Sequence, residues 1–174
     1  YKAVIEKQDS ISAASVSEGL LNEHTGLIEF FNADSVTYAF VLNKKQPIQF
    51  IRYNANLSFA IDSMLYFFRS ASAIGNQPLA YQEAAYDLYQ ILQFDKLDKG
   101  WQNLIIIPDG KLSFLPFDAL ITNTAFTINL QQANYFVNQC NTLYGYSAAI
   151  LLKQLHNDQS AGNSTTVFAP VFSN

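Results

Sequence analysis

One cysteine, two histidines and ten basic residues in 174 positions leave this sequence short of reactive chemistry. Cys140 has no second thiol to bridge to, which excludes an internal disulfide scaffold and suits a reducing, cytoplasmic compartment. A metal centre needs several nitrogen, sulfur or carboxylate ligands brought together, and Cys140, His24 and His156 show no ligand spacing. No metal and no cofactor are therefore expected. The Lys and Arg residues are scattered singly or in the short pair Lys44-Lys45, and the net charge is −4, so no nucleic-acid partner is expected. The longest apolar run, Leu104 to Ile107, is far below the roughly 20 residues that a membrane-spanning helix requires. The first residues also lack the basic, apolar, small-residue order of a signal peptide.

Charge itself is scarce. Asp, Glu, Lys and Arg make up 14 % of the chain, against about 25 % in an ordinary soluble domain. Aromatic residues are plentiful instead, with 14 Phe and 10 Tyr. Either the surface is built from Ser, Asn, Gln and Tyr, or one apolar face is normally covered by another domain or subunit. A chain of 174 residues fits one domain that buries roughly two-thirds of its unfolded surface.

Residues 1–15 show no firm period and read as a linker from an upstream region, leaving one α/β domain over 16–174. Ser15 or Ser17 is expected to cap a short helix through Leu20-Leu21. Three apolar segments follow, Leu27–Phe31, Val36–Leu42 and Ile48–Ile51, separated by Asn32–Ser35 and Asn43–Pro47; they predict an antiparallel meander. Two amphipathic helices come next. Leu57, Ile61, Met64 or Leu65, and Phe68 mark the first, behind Asn54 or Asn56 as caps. Asn76-Gln77-Pro78 opens the second, with Tyr81, Ala84, Ala85, Leu88 and Leu92 on one stripe. Leu104–Ile107 lacks alternation, as expected of a strand covered on both faces. Weaker strands are expected at Phe126–Leu130, Tyr135–Asn138 and Leu143–Tyr144. Ser147 is expected to cap a helix carrying Ile150, Leu151 and Leu155, followed by a loop over Gln159–Ser164 and a strand at Thr166–Ala169. Strands joined through two helices imply a crossover, right-handed if they are parallel. The fold class is α/β with a mixed sheet.

A Cys–His nucleophilic pair would need Cys140 beside His24 or His156, and nothing in the sequence brings them together. A packed thiol is the simpler reading of Cys140. His24 lies in the turn Asn22–Gly26, and His156 near a helix C-terminus, where an imidazolium is favoured. Tyr86 and Tyr89 read as edges of a packed helix. The densest segment runs from Ile107 through Pro108, Asp109, Gly110, Lys111, Leu115, Pro116, Phe117 and Asp118 to Leu120. It holds one glycine and no Gly-Lys-Ser or Gly-Lys-Thr step, so it is not a phosphate loop. Asp109 and Asp118 as paired acids compete with structural readings: a turn former before glycine, and a helix cap.

This segment, Leu-Ile-Ile-Ile-Pro-Asp-Gly followed by Leu-Ser-Phe-Leu-Pro-Phe-Asp-Ala-Leu, resembles the hallmark of CHAT domains, the caspase- and separase-like modules of bacterial proteins. Leu27–Phe31 with Tyr38-Ala39-Phe40 resembles the family's opening strands, and Ala85–Leu92 the helix before the motif strand. Tyr144–Leu151 resembles its tyrosine-then-serine helix entry at Ser147, and Val167–Pro170 the strand that follows. The resemblance spans residues 16–172 and implies the N-terminal, non-catalytic lobe of a caspase-like module. In the family a His-Gly motif and a later Ser-Ala-Cys-like motif carry the chemistry; neither occurs here, so no catalytic residue is carried over. What the resemblance implies is a scaffold and interaction lobe, with a downstream caspase-like cysteine peptidase half and an upstream tetratricopeptide-like repeat region as partners. The rival readings are an endopeptidase whose chemistry lies wholly downstream, and a stand-alone α/β ligand-binding domain with a pocket at the strand ends near Pro108–Gly110.

Overall fold

Alternation in β1 (Thr25–Ala33) and β2 (Val36–Leu42) sends Ile28, Phe30, Ala39 and Val41 to one face of a sheet, where all four are buried. Leu27, Phe31, Phe40 and Leu42 point to the other. This computed structural model describes residues 11–33, 36–54 and 56–158, apart from the side chains of Ala71 and of residues 156–158. β2 pairs antiparallel with β1 and with β3 (Gln49–Arg52), placing Phe40 opposite Phe50. β4 (Asn103–Ile107) lies parallel to β1, and β5 (Asn141–Tyr144) parallel to β4. The order is β3-β2-β1-β4-β5, a mixed sheet that opens with the expected antiparallel meander.

The crossover from β3 to β4 contains α2 (Asn56–Phe68), α3 (Ala71–Asn76) and α4 (Pro78–Ile91), one helix more than the apolar periodicity shows. Pro78 takes the first position of α4, where its missing N–H costs nothing. Asn76 does not cap that helix as expected, because it is the last residue of α3. The cap position falls to Gln77, whose backbone N–H closes α3 on Ala73 and Ile74. On the opposite face of the sheet, α1 (Ala13–Leu20) and α5 (Ala148–Asp158) cover Leu27, Leu42, Ile105 and Ile107. α1 starts before the expected Ser15 or Ser17, because Ser12 Oγ accepts from the Ser15 N–H at 3.1 Å. It therefore includes the last residues of the segment read as a linker. The loop at Gln159–Ser164 and the strand at Thr166–Ala169 fall outside the described residues. Among those described, no helix is long and apolar enough to cross a membrane.

The larger core lies under α2 and α4 and is aromatic. Phe94 stacks on Phe117 at 5.9 Å, Phe117 on Phe30 at 5.9 Å, and Phe136 tilts against Phe94 at 5.3 Å. Tyr53 donates to Leu92 O at 3.2 Å and Tyr81 to Ala119 O at 2.7 Å, so both phenols satisfy loop carbonyls. No strand forms at Phe126–Leu130. There the fully buried Gln82 side chain takes the place of a strand partner: Oε1 accepts from the Thr127 N–H at 3.1 Å, and Nε2 donates to Thr127 O at 2.7 Å and to Pro78 O at 2.9 Å. Residues Phe136–Asn138 form a tight 3-10 turn instead of the expected strand, and Tyr135 bridges Ile121. The strand expected at Leu143–Tyr144 is present as part of β5.

Replacing Gln82 by Leu keeps the volume but strands both polar groups of Thr127. Urea denaturation should show a loss of about 2 kcal/mol or more; an unchanged midpoint would contradict this role. Burial pushes the Tyr53 and Tyr81 phenols well above their ordinary value. The unfolded chain ionises first, at about pH 10, so the stability from these residues is complete below that pH and falls as pH rises past it. The urea midpoint should therefore drop from about pH 9 to about pH 11, less steeply in a Tyr53→Phe, Tyr81→Phe double variant.

Candidate functional site

The segment from Pro108 to Leu120 follows the carboxyl end of β4, the side of a parallel sheet where ligands commonly bind. Its residues are occupied in holding neighbouring strands. Asp109 Oδ2 accepts the Asn32 backbone N–H at 2.7 Å, and Asp109 O accepts from Asn32 Nδ2 at 2.8 Å. Asn32 Oδ1 in turn accepts from Thr37 Oγ1 at 2.6 Å, which ties the end of β1 to the start of β2. Gly110 has φ +58°, and a Cβ there would sit 2.6 Å from Asn32 Nδ2, so glycine is favoured on both counts. Lys111 then pairs with Asp62 of α2 at 2.7 Å.

Leu115 and Phe117 are buried, while Pro116 and Pro108 are half-buried at the turns on either side. Asp118 does not cap a helix, contrary to the sequence-based expectation. Its Oδ1 accepts from Thr142 Oγ1, and its Oδ2 accepts from the Tyr144 hydroxyl at 3.0 Å. Both partners are on β5. The two aspartates thus act on different strands, Asp109 on β1 and Asp118 on β5, and each carboxylate serves as a structural acceptor. Ser147 takes its expected place before α5, its Oγ accepting from the Ala149 N–H at 3.2 Å.

Cys140 is buried just before β5, and its thiol lies 3.7 Å from Asn141 O. Burial pushes the thiol pKa up, and Asp118 adds to the effect, so the reactive thiolate is disfavoured. His24 sits in the turn before β1, its ring Nδ1 3.4 Å from Gly100 O. His156 lies on α5, with its side chain outside the described set. Cys140 and His24 share no hydrogen bond among the described residues, and no group of three or more His, Cys, Asp or Glu there is placed to hold a metal ion.

Two hollows remain near these groups. At the strand carboxyl ends an open hollow of about 320 Å³ is lined by Pro108, Ser113, Tyr144, Gly145 and Tyr146. The Tyr144 hydroxyl is already donated to Asp118. At the opposite ends, a half-open hollow of about 350 Å³ has walls of Tyr89, Phe94, Trp101 and Phe136 with Cys140 beside them. Asn32, Thr142 and Tyr144, which make the polar contacts of Asp109 and Asp118, were not singled out by the sequence as partners of these acids. Their only signal is position: each lies at a strand end, where carbonyl and amide groups need side-chain partners. No protein-family model matches the chain, and no curated protein matches it significantly.

Asp118→Ala would release Thr142 and Tyr144 together. Hydrogen exchange of the β5 amides should rise, with a stability loss of about 2–3 kcal/mol. Gly110→Ala should cost about 1–2 kcal/mol through its positive φ alone. Wild-type exchange and stability in both variants would remove the motif's structural role.

Proposed function

We propose that the chain is a non-catalytic scaffold and interaction lobe, of the kind found in the N-terminal half of a CHAT domain, which supports a downstream caspase-like cysteine peptidase half and takes contacts from upstream repeats. The observation that carries this reading is the half of the sheet that α1 and α5 leave bare. Phe31, Phe40 and Phe50 are 55 %, 40 % and 59 % exposed there, and Phe50 stacks with Tyr38 at 5.2 Å and meets Phe40 at 5.3 Å. Rings gathered on one face in this way mark a surface for another protein part. Glu29 lies among them, half-buried, and its pKa is raised by burial despite a hydrogen bond from the Ala148 backbone N–H. The occupied roles of Asp109 and Asp118 and the raised thiol pKa of Cys140 support the non-catalytic part of the reading.

The test is co-purification of this chain with the polypeptide encoded downstream of it. Phe40→Thr with Phe50→Thr should abolish association while leaving the circular dichroism spectrum unchanged, since the two positions face each other on the exposed side of the sheet, where threonine suits a strand. Undiminished association would contradict the docking face. Hydrolysis of peptide substrates by the chain alone, lost in Cys140→Ser, would contradict the non-catalytic reading.

A further inference from the structure

On the side of the molecule away from the aromatic sheet face, α2 and α4 enclose a groove of about 470 Å³. Its α2 wall is Asn56, Phe59, Ala60 and Ser63, and its α4 wall is Ala80, Glu83, Ala84, Asp87 and Ile91. Both walls follow i, i+3, i+4, i+7 spacing, so each is a ridge along one helix flank, and the space between two such ridges matches the ridge of a third helix. From Ala80 to Ile91 the groove runs about 16 Å, or three turns of an occupant. Alanines at 60, 80 and 84 leave room for close approach, while Phe59 stands 77 % exposed on its rim.

The charged residues on the groove's lining are both acidic. Glu83 and Asp87 stand one turn apart on α4, an arrangement that disfavours the isolated helix, and neither forms an ion pair among the described residues. Asp62, the nearby acid of α2, is taken up by Lys111. We infer that this groove docks an amphipathic helix of a protein partner, with an apolar stripe seated against Phe59 and the alanines and Lys or Arg residues facing Glu83 and Asp87. This is a second surface, independent of the CHAT-like reading and of the aromatic sheet face.

The probe is a fluorescein-labelled helical peptide of leucine and lysine, with leucine at i, i+3, i+4 and i+7, followed by fluorescence anisotropy. Saturable binding is expected, weakened about tenfold or more by Ala80→Trp, which fills the groove from an exposed position, and by Glu83→Lys with Asp87→Lys. A Phe40→Thr, Phe50→Thr variant should bind as wild type, which separates this site from the sheet face. The same peptide with glutamate for lysine should not bind. Absence of saturable binding, wild-type affinity in the groove variants with an unchanged circular dichroism spectrum, or equal binding of the glutamate peptide would each overturn the assignment.

Discussion

The structure depends on where one aromatic ring is seated. Phe117 is fully buried and touches Phe30 on β1, Phe94 in the turn after α4, and Tyr144 on β5. A single side chain from a loop thereby joins the central strand, the crossover and the edge strand. Phe94 passes the contact on to Phe136 and Tyr89, so these rings form one connected part of the interior. Packing of this kind is unforgiving, because a ring removed from a dense interior leaves a cavity that its neighbours fill only in part.

Seating Phe117 also fixes what surrounds it. Its neighbour Asp118 is carried to β5, and Asp109, at the other end of the same segment, is carried to β1. Asp109 and Asp118, which the sequence reads more simply as a turn former and a helix cap than as paired acids, are thereby spent as separate clamps on two strands. The same arrangement leaves the sheet lopsided. One face is closed by α2, α4 and the Pro108–Leu120 loop, while α1 and α5 reach only the part of the other face over Leu27, Leu42, Ile105 and Ile107. Phe31, Phe40 and Phe50 stay bare, so part of the low-charge composition does correspond to an open apolar face.

Much of this was legible in the residues. Apolar segments between polar turns placed the first three strands, the unbroken Leu104–Ile107 run placed a strand covered on both faces, and Pro78 placed the start of α4. These are signals that local covalent and packing rules write directly into a short window. What escaped depended on distant partners. Phe126–Leu130 has strand-like composition, yet its polar groups are taken by Gln82, 45 positions away. Asp118 has the context of a helix cap, yet its oxygens face β5. α3 has six residues, too few to show an apolar stripe by which to find it. For the candidate site, the Pro108–Phe117 segment stood out as a unit, but the clamping roles within it became visible only with Asn32, Thr142 and Tyr144 in place.

The most direct measurement is the equilibrium stability of Phe117→Ala, followed together with amide exchange in β1, β4 and β5. The account predicts a loss of about 3–5 kcal/mol and loosening of β1 and β5 together with β4 between them, because one ring touches both outer strands of the three. A variant that keeps wild-type stability, or that loosens β5 alone, would show that the sheet stands without this ring and that the central claim is wrong.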